Sequence, residues 1–380
     1  MPCQAYKAFL FLLVILVGSL IMLLIYGGKQ SLNGKNDSLI LVHVLMRHGE
    51  KNPDKSSLYL SSPYYNESFY PDGYGQLTKK GRYQVYELGV ALRQRYNNFL
   101  GDIWNIKHVD AWSTSYNRTK MSLQLALAGL FPPKSSQSWV LNWLPIPFNF
   151  LPFQQDKELL PYYACPRYDK LTKILYQRPE IKQYLQRYNK SFEILANHTG
   201  LQIDVTIGFN QYTGFRILDE LGFPLESWIP EIYPEPLHSM VIDMYYLMTN
   251  TTELRRIISG FLLKRIVTTS QEKITNKLVP PERKMFIYSV HEMNIATMLL
   301  TLGTQTHLSE IPPCGSYLLM EVHKIDGIYG IKIFYENYGK NSPVQLKIKG
   351  CDHFCPFDEF FKITKRFLPE SDEECYCVDD

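Results

Sequence analysis

The chain has 380 residues, with 40 Lys+Arg against 37 Asp+Glu and a net charge of +3. That balance excludes a nucleic-acid binder working by bulk basicity and an acidic disordered tail. Hydrophobic residues at 45% and charged residues at 20% match globular averages, so one large α/β domain or two ordinary ones can bury a core.

The first feature is an uncharged run from Ala8 to Tyr26, AFLFLLVILVGSLIMLLIY. As a helix it rises about 28 Å, enough to cross a hydrocarbon core. It is read as an uncleaved signal anchor, with residues 1–28 forming a short cytosolic tail and membrane segment. The alternative is a signal peptide cut after Ser19 or Gly27. Both readings send residues 29–380 into the secretory pathway. In the first this part is the luminal or extracellular domain of a single-pass membrane protein; in the second it is secreted or lysosomal.

Residues 39–46, LILVHVLM, predict a strand buried on both faces, as in a parallel sheet. The polar stretch Arg47-His48-Gly49-Glu50-Lys51-Asn52-Pro53 follows at its carboxyl end. Val85, Leu88 and Leu92 recur at helical spacing within 81–96. A short strand is expected at Val109–Ser113 and a second helix at Asn117–Leu130. Residues 140–165 are rich in Pro and aromatics, and 166–275 hold mostly helical patterns, such as Ile242–Met248 and Glu253–Lys264. A helical cap inserted within about 140–275 is therefore expected, not a further sheet layer. The buried-strand pattern returns at Lys284–Val290 and runs directly into His291-Glu292, with a helix over Ile295–Leu302. Tyr317–His323 and Tyr329–Tyr335 read as a hairpin about Asp326-Gly327. Strand–loop–helix alternation implies an α/β fold. Two polar clusters then stand at carboxyl ends of buried strands, where open α/β sheets bind ligands.

Six of the seven cysteines, Cys165, Cys314, Cys351, Cys355, Cys375 and Cys377, lie beyond the apolar run. An even number in an oxidising lumen implies disulfides, with 15 pairings open for six. Cys3 would face the cytosol. No His or Cys pair stands at finger spacing, so no metal is expected. Sequons at Asn36, Asn66, Asn117, Asn189, Asn197 and Asn250 accord with the same placement.

Taken singly, His48 reads as a satisfied loop histidine, Arg47 and Lys51 as a solvated face, and Glu292 as a residue complementing a helix amino terminus. Their position at strand ends favours function. Two histidines, a carboxyl and fixed cations suit phosphoryl chemistry. A neutral imidazole attacks phosphorus, cations hold the equatorial oxygens, and a carboxylic acid protonates the departing alcohol. Such a scheme needs no cofactor.

The segments LMRHGEKNP (45–53), YGQLTKKGRYQVYELGVALRQRY (74–96), WSTSYNRTKMSLQLALAGLFPP (112–133), YSVHEMN (288–294) and GCDHFCPFDEF (350–360) resemble, in order, the histidine acid phosphatase family. That family is a branch of the phosphoglycerate-mutase-like superfamily, and the match is to its prostatic, lysosomal and insect venom group. The resemblance covers about 39–377. It implies a mostly parallel central sheet flanked by helices, and an acid phosphatase working through a phosphohistidine. It makes His48 the nucleophile, Arg47, Lys51, Arg118 and His291 the phosphate-binding groups, and Glu292 the general acid, whose protonation would explain an acid optimum. Two residues depart from the family pattern: Lys51 stands where Arg is usual, and Glu292 where Asp is usual. Lys loses the bidentate fork, and Glu adds a methylene that displaces the proton by about 1 Å. The resemblance also implies a Cys351–Cys355 disulfide and pairs Cys165 with Cys375 or Cys377, leaving Cys314 free or bonded to the remaining one. It further suggests a homodimer, with the Trp143–Phe150 stretch contributing an edge. The competing readings are a weakened or inactive relative that binds phosphorylated ligands or a protein partner, and a specialised lysophosphatidic acid or sugar-phosphate phosphatase.

Overall fold

The computed structural model describes residues 37–304, 308–339 and 342–376. The apolar run 8–26, Cys3, Asn36 and Cys377 lie outside them. Among the described residues no helix is long and apolar enough to cross a membrane.

Eight strands of the described residues form one sheet: β1 (Asp37–Arg47), β2 (Val109–Ser113), β3 (Asn149–Phe150), β4 (Met285–Val290), β5 (Tyr317–Ile325), β6 (Ile328–Glu336), β7 (Val344–Leu346) and β8 (Cys355–Pro356). Their order is β3-β2-β4-β1-β5-β6-β7, with β8 also paired to β6. The half from β3 to β1 is parallel. The half beyond β1 is antiparallel and begins with the expected hairpin, whose turn places Asp326 and Gly327 at φ 50° and 85°. These left-handed values suit Gly and are tolerated by Asp.

Alternation along β1 sends side chains to two cores. Val42, Val44 and Met46 pack with Met285 and Ile287 against α1 (Lys79–Leu100) and α2 (Asn117–Leu130). Leu41 and Leu45 face the other way, into a larger core shared with the middle of the chain. That middle is helical, as expected: α3 (Pro161–Ala164), α4 (Pro166–Gln177), α5 (Pro179–Leu185), α6 (Asn189–Thr199), α7 (Val205–Glu220), α8 (Leu237–Met248), α9 (Thr252–Ile258) and α10 (Gly260–Ile274). It also supplies β3, an edge strand of two residues too short to register as a pattern. The single helix expected over Glu253–Lys264 is two helices, broken at Ser259. A Cβ on Gly260 would stand 2.2 Å from the Phe367 carbonyl oxygen, so the break and the glycine let this chain segment pass. α11 (Glu292–Leu302) starts directly at the end of β4, and α12 (Phe357–Thr364) follows β8.

His43 is a histidine that the fold absorbs. It is fully buried, stacked on Phe286 at 5.1 Å, with Nε2 3.2 Å from Ser270 Oγ. Burial, with Arg265 nearby, lowers its pKa to about 3, and it stays neutral.

Among the described residues two disulfides join Cys165 to Cys375 and Cys351 to Cys355, and Cys314 has no disulfide partner. Cys165 therefore takes Cys375. Its bond spans 210 residues and anchors the carboxyl-terminal segment beside α3 and α4. Replacing both Cys165 and Cys375 by Ser should cost about 2–5 kcal/mol, read as a lower urea midpoint. An unchanged midpoint would show that the crosslink contributes nothing to stability. The sequon residues Asn66, Asn117, Asn189, Asn197 and Asn250 are all exposed.

Candidate active site

The register of β1 with β4 pairs Arg47 with Val290, so the chain leaves both strands at one level. His48 and His291, each next in sequence, emerge side by side with ring centroids 5.4 Å apart. The loop after β1 is tied to the start of α1. Glu50 N–H donates to Gln84 Oε1 (2.8 Å), while its carboxylate accepts from Thr78 Oγ1 (2.8 Å) and pairs with Lys80 (2.6 Å). Backbones meet closely here: a Cβ on Gly49 would stand 2.1 Å from the Gly81 carbonyl oxygen, and one on Gly81 1.9 Å from that of Glu50. No side chain fits between the loop and the helix.

Arg47, His48, Lys51, Asp54, Arg118, His291 and Glu292 line one cleft of about 220 Å³. Every residue expected at the site from the sequence stands in it. Tyr116 adds an aromatic wall, as do Tyr162 and Tyr163 of α3 and Phe209 of α7. The His48 imidazole is buried, with Nδ1 2.8 Å from the carbonyl oxygen of Gly49. A carbonyl oxygen can only accept, so Nδ1 carries the hydrogen and Nε2 keeps its lone pair. Arg47 reaches Glu292 Oε2 at 3.0 Å and the Pro312 carbonyl oxygen at 2.5 Å. Arg118, on the first turn of α2, lies 4.1 Å over the Tyr116 ring.

His291 is held from several sides. Its Nε2 is 3.0 Å from Thr114 Oγ1, which is itself 2.7 Å from Thr119 Oγ1. The ring packs edge-on against Tyr116, and its backbone N–H donates to Asn294 Oδ1. Thr114, Thr119 and Tyr116 were not legible as site residues, because each acts through contacts made far along the chain. Asp54 was missed as well. It follows the motif by one residue, and its carboxylate lies 2.7 Å from Lys51 Nζ and 3.4 Å from Arg118.

The electrostatics keep both cleft histidines uncharged. Burial first, then Arg118 and Arg47, holds His48 well below the usual imidazole range. Burial and Arg118 likewise bring His291 to about 3. Burial pushes the Glu292 carboxyl up, but Arg47 and His291 more than offset it and hold the group at about 2. In the free protein Glu292 is thus an ionised partner of Arg47. The expected link between its protonation in the free enzyme and an acid optimum does not stand. Among the described residues no group of three or more His, Cys, Asp or Glu is placed to hold a metal ion.

This geometry agrees with what the chain is similar to. Venom acid phosphatase Acph-1 of Apis mellifera is 34% identical over 350 residues, covering 90% of this chain and 89% of its own. The lysosomal acid phosphatase of Homo sapiens is 32% identical over 348 residues, covering 89% of this chain and 80% of its own. Among solved structures, the apo form of Hafnia alvei phytase superposes with a TM-score of 0.64 at 17% identity, covering 92% of this chain and all of that one. At that identity the likeness concerns the fold, an α/β sheet flanked by helices. Residues 38–336 match the model of the histidine phosphatase superfamily, branch 2, and the chain belongs to that family.

Proposed function

We propose that the protein is an acid phosphatase that hydrolyses phosphate monoesters through a covalent phosphohistidine, with His48 as nucleophile. The observation that carries this reading is the 2.8 Å contact of His48 Nδ1 with the Gly49 carbonyl oxygen. It fixes the tautomer and presents a lone pair on Nε2 to phosphorus in a cleft ringed by cations. Arg47, Arg118 and Lys51 hold the phosphoryl oxygens, and His291 adds a contact from the side. Glu292 protonates the leaving oxygen. A nucleophile, cations and a carboxyl in one cleft leave the non-catalytic reading without support. The reading is tested by phosphate release from nitrophenyl phosphate and glycerol phosphate by the purified protein. Release in acidic buffer is expected, and its absence from acid to neutral pH would overturn the assignment.

Residues 29–380 are read as the catalytic domain, with a helical cap within about 140–275 whose Tyr162, Tyr163 and Phe209 shape the leaving-group side. The similarity to proteins named venom and lysosomal acid phosphatase, two disulfides and exposed sequons support the secretory pathway. The uncharged run 8–26 supports a membrane anchor, and the edge position of β3 supports a homodimer through the 143–150 stretch. The anchor makes a direct prediction: the mature protein resists carbonate extraction and partitions into detergent. Soluble material whose sequence begins near Leu20 or Gly28 would refute it.

A further inference from the structure

A carboxylate among phosphate-binding cations is an expensive arrangement, and Asp54 is one. Its Oδ2 lies 2.7 Å from Lys51 Nζ and its Oδ1 3.4 Å from an Arg118 nitrogen, inside the same cleft as His48. Those are two of the three cations assigned to the phosphoryl group. The carboxylate does no evident structural work. It caps no backbone N–H of the 3-10 turn that follows, Lys55–Ser57. Ser57 is instead held by the Asp54 backbone carbonyl oxygen. Gly75 leaves room for the Asp54 carboxylate, since a Cβ there would stand 2.4 Å from Oδ1. Lys51 is 4% exposed, and among the described residues its Nζ reaches Asp54 and, at 3.3 Å, the Asn52 carbonyl oxygen. A substrate therefore meets Lys51 already neutralised.

We propose that Asp54 is a positioning residue that holds Lys51 and Arg118 in the free protein and competes with the incoming phosphoryl group for both, so that phosphate binding is coupled to proton uptake. The inference rests on the reading of the cleft given above. A phosphoryl group carries one or two negative charges and needs the same cations. Bound beside an ionised Asp54, it faces a like charge a few ångströms away; with that carboxyl protonated, the repulsion is gone. Binding then strengthens as pH falls. The groups that face Asp54 are Lys51 in its own loop, Arg118 on α2 and His291 at the start of α11. In the free protein burial pushes the carboxyl up, but Lys51 and Arg118 outweigh it and keep it ionised. The proton thus enters on binding, not before. The step adds one proton to one carboxylate oxygen and forms no covalent bond.

The test is competitive inhibition by inorganic phosphate, followed from acid to neutral pH in wild type, Asp54→Asn and Asp54→Glu. Asn keeps the shape and removes the charge. It should tighten phosphate inhibition by about ten- to a hundredfold near neutrality, with a much smaller gain in acid. KM for nitrophenyl phosphate should fall in parallel, while kcat does not rise. Asp54→Glu retains the carboxylate and should keep the wild-type pH slope. An active Asp54→Asn enzyme with unchanged or weaker phosphate inhibition would overturn the proposal while leaving the cleft assignment intact. A purely structural role for Asp54 would move activity and stability together without changing the pH slope. A wild-type protein that neither turns over nitrophenyl phosphate nor binds phosphate would overturn the cleft assignment, and this proposal with it.

Discussion

His48→Ala is expected to abolish phosphate release, by a factor on the order of 10⁴ or more, with the domain still folded. The imidazole is buried, yet its hydrogen bond among the described residues runs to the adjacent Gly49 carbonyl, so its loss unties no distant element there. The chemical signature is specific. In single turnover with labelled substrate and an alkaline denaturing quench, phosphate should remain attached to the wild-type protein, in a bond stable to base and labile to acid. The variant should trap none. Trapping undiminished in His48→Ala would move the nucleophile elsewhere, and His291, with Nε2 engaged by Thr114, would have to be reconsidered.

The second large effect concerns Glu292. Its carboxyl titrates at about 2 in the folded protein against 4.5 when unperturbed. A depressed carboxyl stabilises the fold above about pH 4.5, and that contribution is lost as pH falls towards 2. At mildly acidic pH the free enzyme therefore holds Glu292 ionised against Arg47. A phosphoryl group that draws Arg47 to itself removes this counter-charge and adds a negative one, and both changes favour protonation of Glu292. On the proposed mechanism, the acid is made by the substrate's arrival. An alkyl alkoxide leaves poorly without a proton, whereas nitrophenolate leaves readily. Glu292→Gln should therefore depress glycerol phosphate hydrolysis by about 10²–10⁴-fold and largely spare phosphoenzyme formation from nitrophenyl phosphate. Glu292→Asp should retain activity. Equal losses on both substrates would mean that the residue orients Arg47 and that another group supplies the proton.

The elements that position the site were legible because their periodicity is strong. The continuous apolar run of β1 and the helical spacing of Val85, Leu88 and Leu92 fall where the structure has a strand and a helix, and Val109–Ser113 and Asn117–Leu130 match at both ends. Arg47, His48 and His291 were legible from motifs at strand ends. Asp54 was not, since its meaning lies in a contact with Arg118, 64 residues away. Thr114 was hidden for the same reason, its partner His291 lying 177 residues on. The helix break at Ser259 depends on a backbone more than a hundred residues later, that of Phe367, which no local pattern records. The choice between Cys375 and Cys377 likewise came only from tertiary placement.

The 210-residue span between Cys165 and Cys375 also sets an order of events during synthesis. At about 5–20 residues per second, Cys165 emerges roughly 10 to 40 s before its partner exists. Throughout that interval it is an unpaired thiol in an oxidising compartment. Cys314, Cys351 and Cys355 all appear before Cys375. The Cys351–Cys355 bond, closing over a separation of 4, withdraws two of those competitors almost as soon as they appear. Cys314 remains, and the fold places it in the wall beside Arg47. Cys314 is only partly buried in the folded protein, so a nascent chain stalled short of Cys375, with Cys165 still unpaired, is the form most exposed to mispairing.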